Sequence, residues 1–415
     1  MKGIEIDMKS GKFLFISALF ICVASIFMMP PRAESAGSAL FPKIGTLSES
    51  VKEVFERIST DGTKIVMKID GKNWPNVEEA SNHIQGYAYY KNLFHIFSHS
   101  DNKDYGRLIF VSTTGEVKNN VEYKPDKVYT VNTPLDKYNH VGGIQIIGDY
   151  LLVGTAKDDK HGKIWLYDLT TINTSDPGKP FLGDPKLLRD NIPEASAVGV
   201  TDITLLNNNT VSADKSVYAV GVLSGKELVL YSSNAVDTGK IMDVTSLQYQ
   251  NRYIFDTSGE YQSIGLFCAA DKSLCMVGFR AISTGSWKDE YDVYQLTDKE
   301  GFFRENPRIL LNDVHVTCHH GAMPGSYGVH FRWGAGFQII GDGEYSSQIR
   351  LFATQRNHAN SEVAINVFSE AEGSEPVEPG GPSTSGKGSG CDSGVGIAWA
   401  LLMLTALLGV RKRGM

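Results

Sequence analysis

One seven-residue phrase appears twice at distant points in this chain. Gly143-Ile-Gln-Ile-Ile-Gly-Asp149 returns as Gly336-Phe-Gln-Ile-Ile-Gly-Asp342. Weaker versions lie before and between them: His83-Ile-Gln-Gly86, Ser196-Ala-Val-Gly199 and Gln262-Ser-Ile-Gly265. A repeat with this spread constrains the fold more than any local propensity, because each copy should be one supersecondary unit stacked on its neighbours. Each glycine opens a short apolar or alternating run, which is a strand signal. Second strands follow at Leu93–Ser98, Tyr150–Thr155, Val217–Val222, Leu274–Phe279 and Gln348–Ala353. Third strands follow at Arg107–Ser112, Lys163–Leu169, Glu227–Tyr231, Glu290–Leu296 and Glu362–Ser369. Fourth strands fit at Lys127–Asn132, Pro185–Leu188, Ile241–Val244 and Arg308–Leu311.

Four antiparallel strands repeated five times is the pattern of a β-propeller. The expectation is therefore an all-β chain of five blades. Six or seven fit if blades have been merged, and a β-sandwich is the alternative. The last repeat lacks a fourth strand, which Thr63–Asp70 can supply from the N-terminal side. That pairing would close the ring and leave no bare sheet edge. One helix is expected over residues 46–60, capped by Ser48 or Ser50, with Val51, Val54, Phe55 and Ile58 on its apolar face.

The two ends have a different character. Lys9 and Lys12 precede an apolar run from Phe13 to Met29, and small residues follow up to Ala39, so residues 1–39 form a signal peptide and processing region. The propeller domain is expected over residues 40–372. Residues 373–390 are rich in Gly, Ser and Pro with almost nothing to bury, a flexible linker. Cys391-Asp-Ser-Gly394, an apolar run Val395–Val410 and Arg411-Lys-Arg413 close the chain. A helix over that run reaches about 24 Å, short for a span. The basic end would stay cytoplasmic, so the domain faces outward.

Linker, short motif, apolar helix and basic end together resemble the C-terminal sorting domains of exported bacterial proteins. The Gly-Cys-Asp-Ser-Gly core around Cys391 is most similar to the cysteine-containing type of Synergistetes. The resemblance covers only the tail. It implies a membrane protease or sortase-like partner, with cleavage or lipid attachment at Cys391, and membrane anchoring before processing. It implies nothing about the domain in front.

Composition excludes some functions. Net charge is −7 with acids and bases mixed, and no basic stripe is interleaved with aromatics, so nucleic acid is not the partner. There is no phosphate-binding glycine loop, no Gly-x-Ser-x-Gly elbow and no calcium loop. Asp202 and Glu260 are carboxylates near inner strands, a thin basis for glycoside hydrolysis. Export permits disulfides, and Cys268 and Cys275 flank a short loop, which suggests a bridge across a hairpin.

Aligning the repeats on the glycine puts His83, His140, Ser196, Gln262 and Trp333 at one mouth of the channel, three residues before it. Two imidazoles there suggest a divalent metal or an acid and a base. Cys318, His319 and His320, with His315 before and His330 after, form a second cluster of zinc-ligand types without paired spacing. His83 and His140 with His319, His320 and Cys318 are thus the candidate metal ligands. Trp287, Tyr327 and Trp333 are candidate aromatic contacts, and His330 joins the binding set. No nucleophile, base and orienting partner can be assigned together. The preferred reading is a surface-displayed binding module for a small molecule, glycan or protein. The alternative is an extracytoplasmic hydrolase or metal-dependent enzyme using the ring of histidines.

Overall fold

The computed structural model describes residues 45–69, 74, 83–100, 105–113, 122–125, 127–134, 137–176, 178–206, 211–257, 260–283, 287–319, 328–340, 348–357 and 362–370. The expected signal region, the tail with Cys391, His320, Tyr327 and the side chain of Trp287 lie outside the described residues. The chain divides into two units, Met1–Glu372 and Gly373–Met415. Only the first contains described residues.

That unit is a five-bladed β-propeller. Strand β1 (Thr63–Lys68) is set aside for the end of the ring. Blade I has β2 (Ile84–Tyr90), β3 (Phe94–His99) and β4 (Arg107–Ser112). The short β5 (Glu122–Tyr123) runs along β1, and β6 (Val128–Asn132) completes blade I. Blade II has β7 (His140–Ile147), β8 (Tyr150–Asp158), β9 (His161–Asp168) and β10 (Lys186–Ile192). Blade III begins with β11 (Ala197–Asp202); β12 (Lys215–Ser216) leaves it to pair with β15. Then come β13 (Tyr218–Ser224), β14 (Glu227–Ser233), β15 (Val236–Asp237) and the outer β16 (Leu247–Ile254). Blade IV is β17 (Ser263–Cys268), β18 (Leu274–Ser283), β19 (Trp287–Thr297) and β20 (Phe303–Val316). Blade V is β21 (Val329–Ile340), β22 (Gln348–Gln355) and β23 (Glu362–Phe368), closed by β1.

The closure follows the expected pattern. β1 runs antiparallel to β23 in unbroken register from Thr63↔Val367 to Lys68↔Glu362, with an ion pair between the last two side chains. Ile65 and Met67 pack into a cluster shared by blades V and I. The helix α1 covers only Val51–Glu56, shorter than expected. Thr46 and Leu47 are bound to Cys268, and Ser59 donates to the Ser369 carbonyl, so sheet-like pairing takes the backbone on both sides. The helix wedges Val54 and Phe55 between blades IV and V, with Phe55 5.7 Å from Phe267 and 6.4 Å from Phe337.

The repeated phrase now has a physical cause. Its glycine stands where one inner strand meets the next. A Cβ on Gly336 would lie 2.2 Å from the Tyr87 carbonyl oxygen, and one on Gly143 would lie 2.9 Å from the Ala197 Cβ. Any side chain there would push the ring apart. The glutamine two residues on bridges the blades. Gln145 donates to the Leu266 carbonyl and accepts from the Val200 and Leu266 amides, each at 2.9 Å. Gln338 donates to the Tyr89 carbonyl at 3.3 Å. Blades are thus stitched through backbone groups that would otherwise be buried without partners.

Two expectations are corrected here. The fourth strand of blade III is β16, while Ile241–Asp243 forms a single 3₁₀ turn. And Cys268 and Cys275 are free thiols. In β17–β18 the partners are Cys268↔Leu274 and Phe267↔Cys275. The two cysteines are one position out of register, so their side chains leave opposite faces of the blade. Cys268 donates to the Asp202 carbonyl at 3.0 Å and packs with one cluster, and Cys275 packs with another.

Candidate functional site

Antiparallel alternation puts the start of every inner strand, the end of every second strand and the start of every third at one end of the blades. Most candidate residues gather at that end, in two places.

The first is a cavity of about 390 Å³ where blade IV meets blade V, lined by Lys288, Asp289, His315, Val316, Thr317, Cys318 and His330. Its floor is organised by Asp289, which is buried at 3% exposure. One Asp289 oxygen accepts from His330 Nδ1 at 2.8 Å, and the other accepts from the Phe331 amide at 2.8 Å. The Cys318 thiol lines the same cavity as this carboxylate. Burial, then the charge of Asp289, push the Cys318 pKa well above the ordinary thiol value. A nucleophilic cysteine needs the opposite shift, since the thiolate is the reactive form. We therefore expect iodoacetamide to label Cys318 in the native chain at under about a tenth of its rate in urea. Peptide mapping by mass spectrometry reads this directly, and equal rates would contradict the description.

Next to Asp289 on β19, Glu290 points to the other face. It accepts an ion pair from His315 Nδ1 at 2.7 Å and one from Arg280 at 3.1 Å. Burial raises the Glu290 pKa, opposed by Arg280 and His315. A line of charge thus runs from buried Arg280 through Glu290 to His315, which is exposed at the cavity rim.

The second place is the channel mouth. His83 accepts from Gln85 Nε2 at 2.6 Å and meets the Trp333 indole edge-on at 5.7 Å. The guanidiniums of Arg332 and Arg356 lie 5.3 and 4.8 Å from the same ring. Two other ring positions are already engaged: His140 pairs with Glu194 at 3.3 Å, and Ser196 Oγ donates to the Leu223 carbonyl. At Gln262 the backbone N–H donates to the Phe279 carbonyl.

The expected metal ligands are not brought together among the described residues. Among the described residues no group of three His, Cys, Asp or Glu side chains converges to hold an ion. His83 and His140 are turned to separate partners. Cys318 faces Asp289 while its neighbour His319 bonds Asp61 at 2.7 Å, because successive residues of an extended segment point opposite ways. His320 lies outside the described residues. The Asp202–Glu260 pair fails as well. Asp202 ends an inner strand, beside Cys268, whereas Glu260 precedes the start of one, so they lie at opposite ends of the blades.

Among the participants not singled out from sequence are Asp289, Lys288, Arg332 and Arg356. The signal for the first two was present in Lys288-Asp-Glu-Tyr-Asp292. Charges at consecutive positions of a middle strand must be buried on one face or the other, and buried charges are paired.

No family model matches the chain, and no curated protein does. Among solved structures it is similar to the catalytic domain of a GH62 α-L-arabinofuranosidase from Coprinopsis cinerea, at 10% identity over 74% of this chain and 98% of that one, with a TM-score of 0.36. It is also similar to the Nup133 β-propeller domain of Vanderwaltozyma polyspora, at 12% identity over 71% of this chain and 72% of that one, with a TM-score of 0.28.

Proposed function

We propose that this chain is an exported binding module, held on the outside of the cell by its processed tail, whose propeller captures a small polar ligand in the cavity between blades IV and V. The observation that supports this reading best is the cavity itself. Its volume of about 390 Å³ lies in the range of small-molecule sites. Its polar groups converge and are held in place by hydrogen bonds from behind, as pre-organised sites require. The Cys318 thiol is held protonated, which suits a packing and hydrogen-bonding role rather than nucleophilic attack. Ligand contact falls to the exposed groups Lys288 and His315.

A panel of mono- and oligosaccharides, amino acids and nucleosides, titrated by calorimetry, tests the reading. A binder should lose about 5- to 30-fold in affinity in Lys288→Ala and His315→Ala, the cost of about 1–2 kcal/mol for a direct polar contact. Lys288 is exposed, so Lys288→Ala should move the melting temperature little, whereas His315→Ala also removes a partner of buried Glu290 and should lower it. Binding that ignores both substitutions would remove the cavity from the proposal. Turnover of a bound glycoside would replace it with the hydrolase reading, for which the Glu290–His315 pair offers the proton-transfer groups.

A further inference from the structure

The cavity between blades IV and V has its hydrogen-bond acceptors engaged from behind and its donors left toward the opening. It lies at the end of the ladder between β19 and β20, where Asp289 is paired with Val316, so both faces of the blade border it. Alternation puts Asp289, Val316 and Cys318 on one face and Lys288, Glu290, His315 and Thr317 on the other. Asp289 is buried, and its two oxygens accept from His330 Nδ1 and the Phe331 amide. Glu290 is buried too, and its two oxygens pair with Arg280 and His315. The backbone carbonyls of the wall are also engaged. Thr317 accepts from the Gly62 amide at 3.0 Å, and His319 accepts from Asn366 Nδ2 at 3.0 Å.

What remains for an occupant is mostly donors. Lys288 is exposed, has donors and no acceptor, and meets no carboxylate partner among the described residues. His315 gives Nδ1 to Glu290, which orients the ring and leaves Nε2 for the cavity. The exposed Thr317 lies two residues further on the same face. An occupant must therefore bring acceptors. Beside an ammonium without a counter-ion the favoured acceptor is a charged one, since charge-assisted hydrogen bonds are about twice as strong as neutral ones. We propose, on the strength of the binding reading above, that the cavity selects an oxyanion, the carboxylate or phosphate group of a small ligand, with Lys288 as its counter-ion and His315 and Thr317 beside it. The Asp289 carboxylate does not oppose this, because it belongs to the other face of the ladder and both its oxygens are bonded.

The test titrates the full chain by calorimetry in a zwitterionic buffer of low ionic strength. One hexose frame is offered in three charge states, as sodium glucuronate, glucuronamide and glucosamine. Inorganic phosphate and acetate serve as bare oxyanions. Glucuronate should bind about tenfold or more tighter than its amide, and added sodium chloride should weaken the acid alone. Tighter phosphate than acetate assigns a phosphate group, and the reverse assigns a carboxylate. Lys288→Gln keeps a polar side chain and removes the charge, so it should erase the preference for acid over amide. Lys288→Glu should turn the preference toward glucosamine. Lys240→Gln, in an exposed ion pair of blade III, should change neither. Acid and amide bound equally, and both weakened by Lys288→Gln, would overturn the oxyanion and keep the cavity as the binding site. Tighter glucosamine in the parent chain would do the same. Anion binding that both Lys288 variants leave unchanged would overturn the proposal and remove the cavity with it. No saturable binding of glucuronate, phosphate or acetate would overturn the proposal alone.

Discussion

Replacing Arg280 by methionine is expected to destabilise the folded chain by about 3–5 kcal/mol at neutral pH, the usual cost of stranding a buried charge. Arg280 is 1% exposed, and its strand partner Glu290 is 2% exposed in the register Arg280↔Glu290. Asp292, fully buried two residues along the same face, lies 3.2 Å from Arg280 Nε and accepts from the Tyr261 hydroxyl at 2.6 Å. Asp313 also pairs with this guanidinium. The tyrosine reaches Asp292 only because the strand offers Gly278 beneath it, where a Cβ would lie 2.7 Å from the ring. Methionine fills much of the arginine volume, so the loss is electrostatic rather than a cavity. Two buried carboxylates would then lack their cation. A fall in the urea midpoint at unchanged slope measures it. A midpoint within the error of the parent would mean that water reaches the cluster.

The same substitution should make stability depend on pH in a definite direction. Burial already raises the folded pKa of Glu290 above 4.5, with Arg280 the largest influence pulling it down. A carboxyl whose folded pKa is raised favours folding below its unfolded pKa, and that contribution is lost as pH rises through the folded value. Removing Arg280 raises the folded value further and widens the window. The deficit of Arg280→Met should therefore be small near pH 4.5 and grow toward pH 7. Adding Glu290→Gln should recover part of it at pH 7 and little at pH 4.5. A deficit that does not change with pH would assign the loss to packing.

How much of this was legible in the sequence depended on which strand was being read. Inner strands announce themselves because each must meet the next at a glycine and be apolar on both sides, as at Gly143 and Gly336. Outer strands do not. β16 needs only Leu247 and Tyr253 as buried anchors, and its remaining residues face water, so its pattern resembles a polar loop. The compact apolar Ile241–Val244 was the more conspicuous choice and is a turn. Cys268 and Cys275 show the limit of spacing arguments. One residue of register decides whether two side chains share a face, and register is set by the whole strand pair. At the site, alignment on the glycine named only one residue per blade. Ser196 spends its hydroxyl on the Leu223 carbonyl. Arg356 enters from the end of a second strand, a position that alignment never samples. Asp289 was hidden for a different reason, since a carboxylate 3% exposed only makes sense once His330 and the Phe331 amide are seen around it.

Removing the residues up to Lys68 should abolish the folded propeller altogether. The effect would exceed that of any single substitution, because β1 belongs to blade V in space while preceding blade I in sequence. Without it, β23 would offer six consecutive residues of unpaired edge. Ile65 and Met67 would also leave the cluster that joins Trp74, Tyr87, Phe97 and Ile109 to Phe352 and Ile365. The truncation also takes α1, and with it Val54 and Phe55 from between blades IV and V. The truncated chain should lose its sharp thermal transition and associate through the exposed edge, read by circular dichroism and light scattering. Point variants separate the strand from the helix. Met67→Ala should cost about 2–5 kcal/mol, the range for a buried methionine, while Lys64→Ala on the same strand should stay within about 0.5 kcal/mol. Ile65→Ala with Met67→Ala should fall short of the sum of the two, since both empty the same cluster. A truncated chain that remains monomeric and melts like the parent would show that blade V holds without its fourth strand, and the ring would then be closed by inner-strand contacts alone. Those contacts are narrow, a single parallel bridge at Gly86↔Ala335 between blades I and V. The antiparallel ladder of β1 on β23 is six residues long, which is why ring closure is assigned to it.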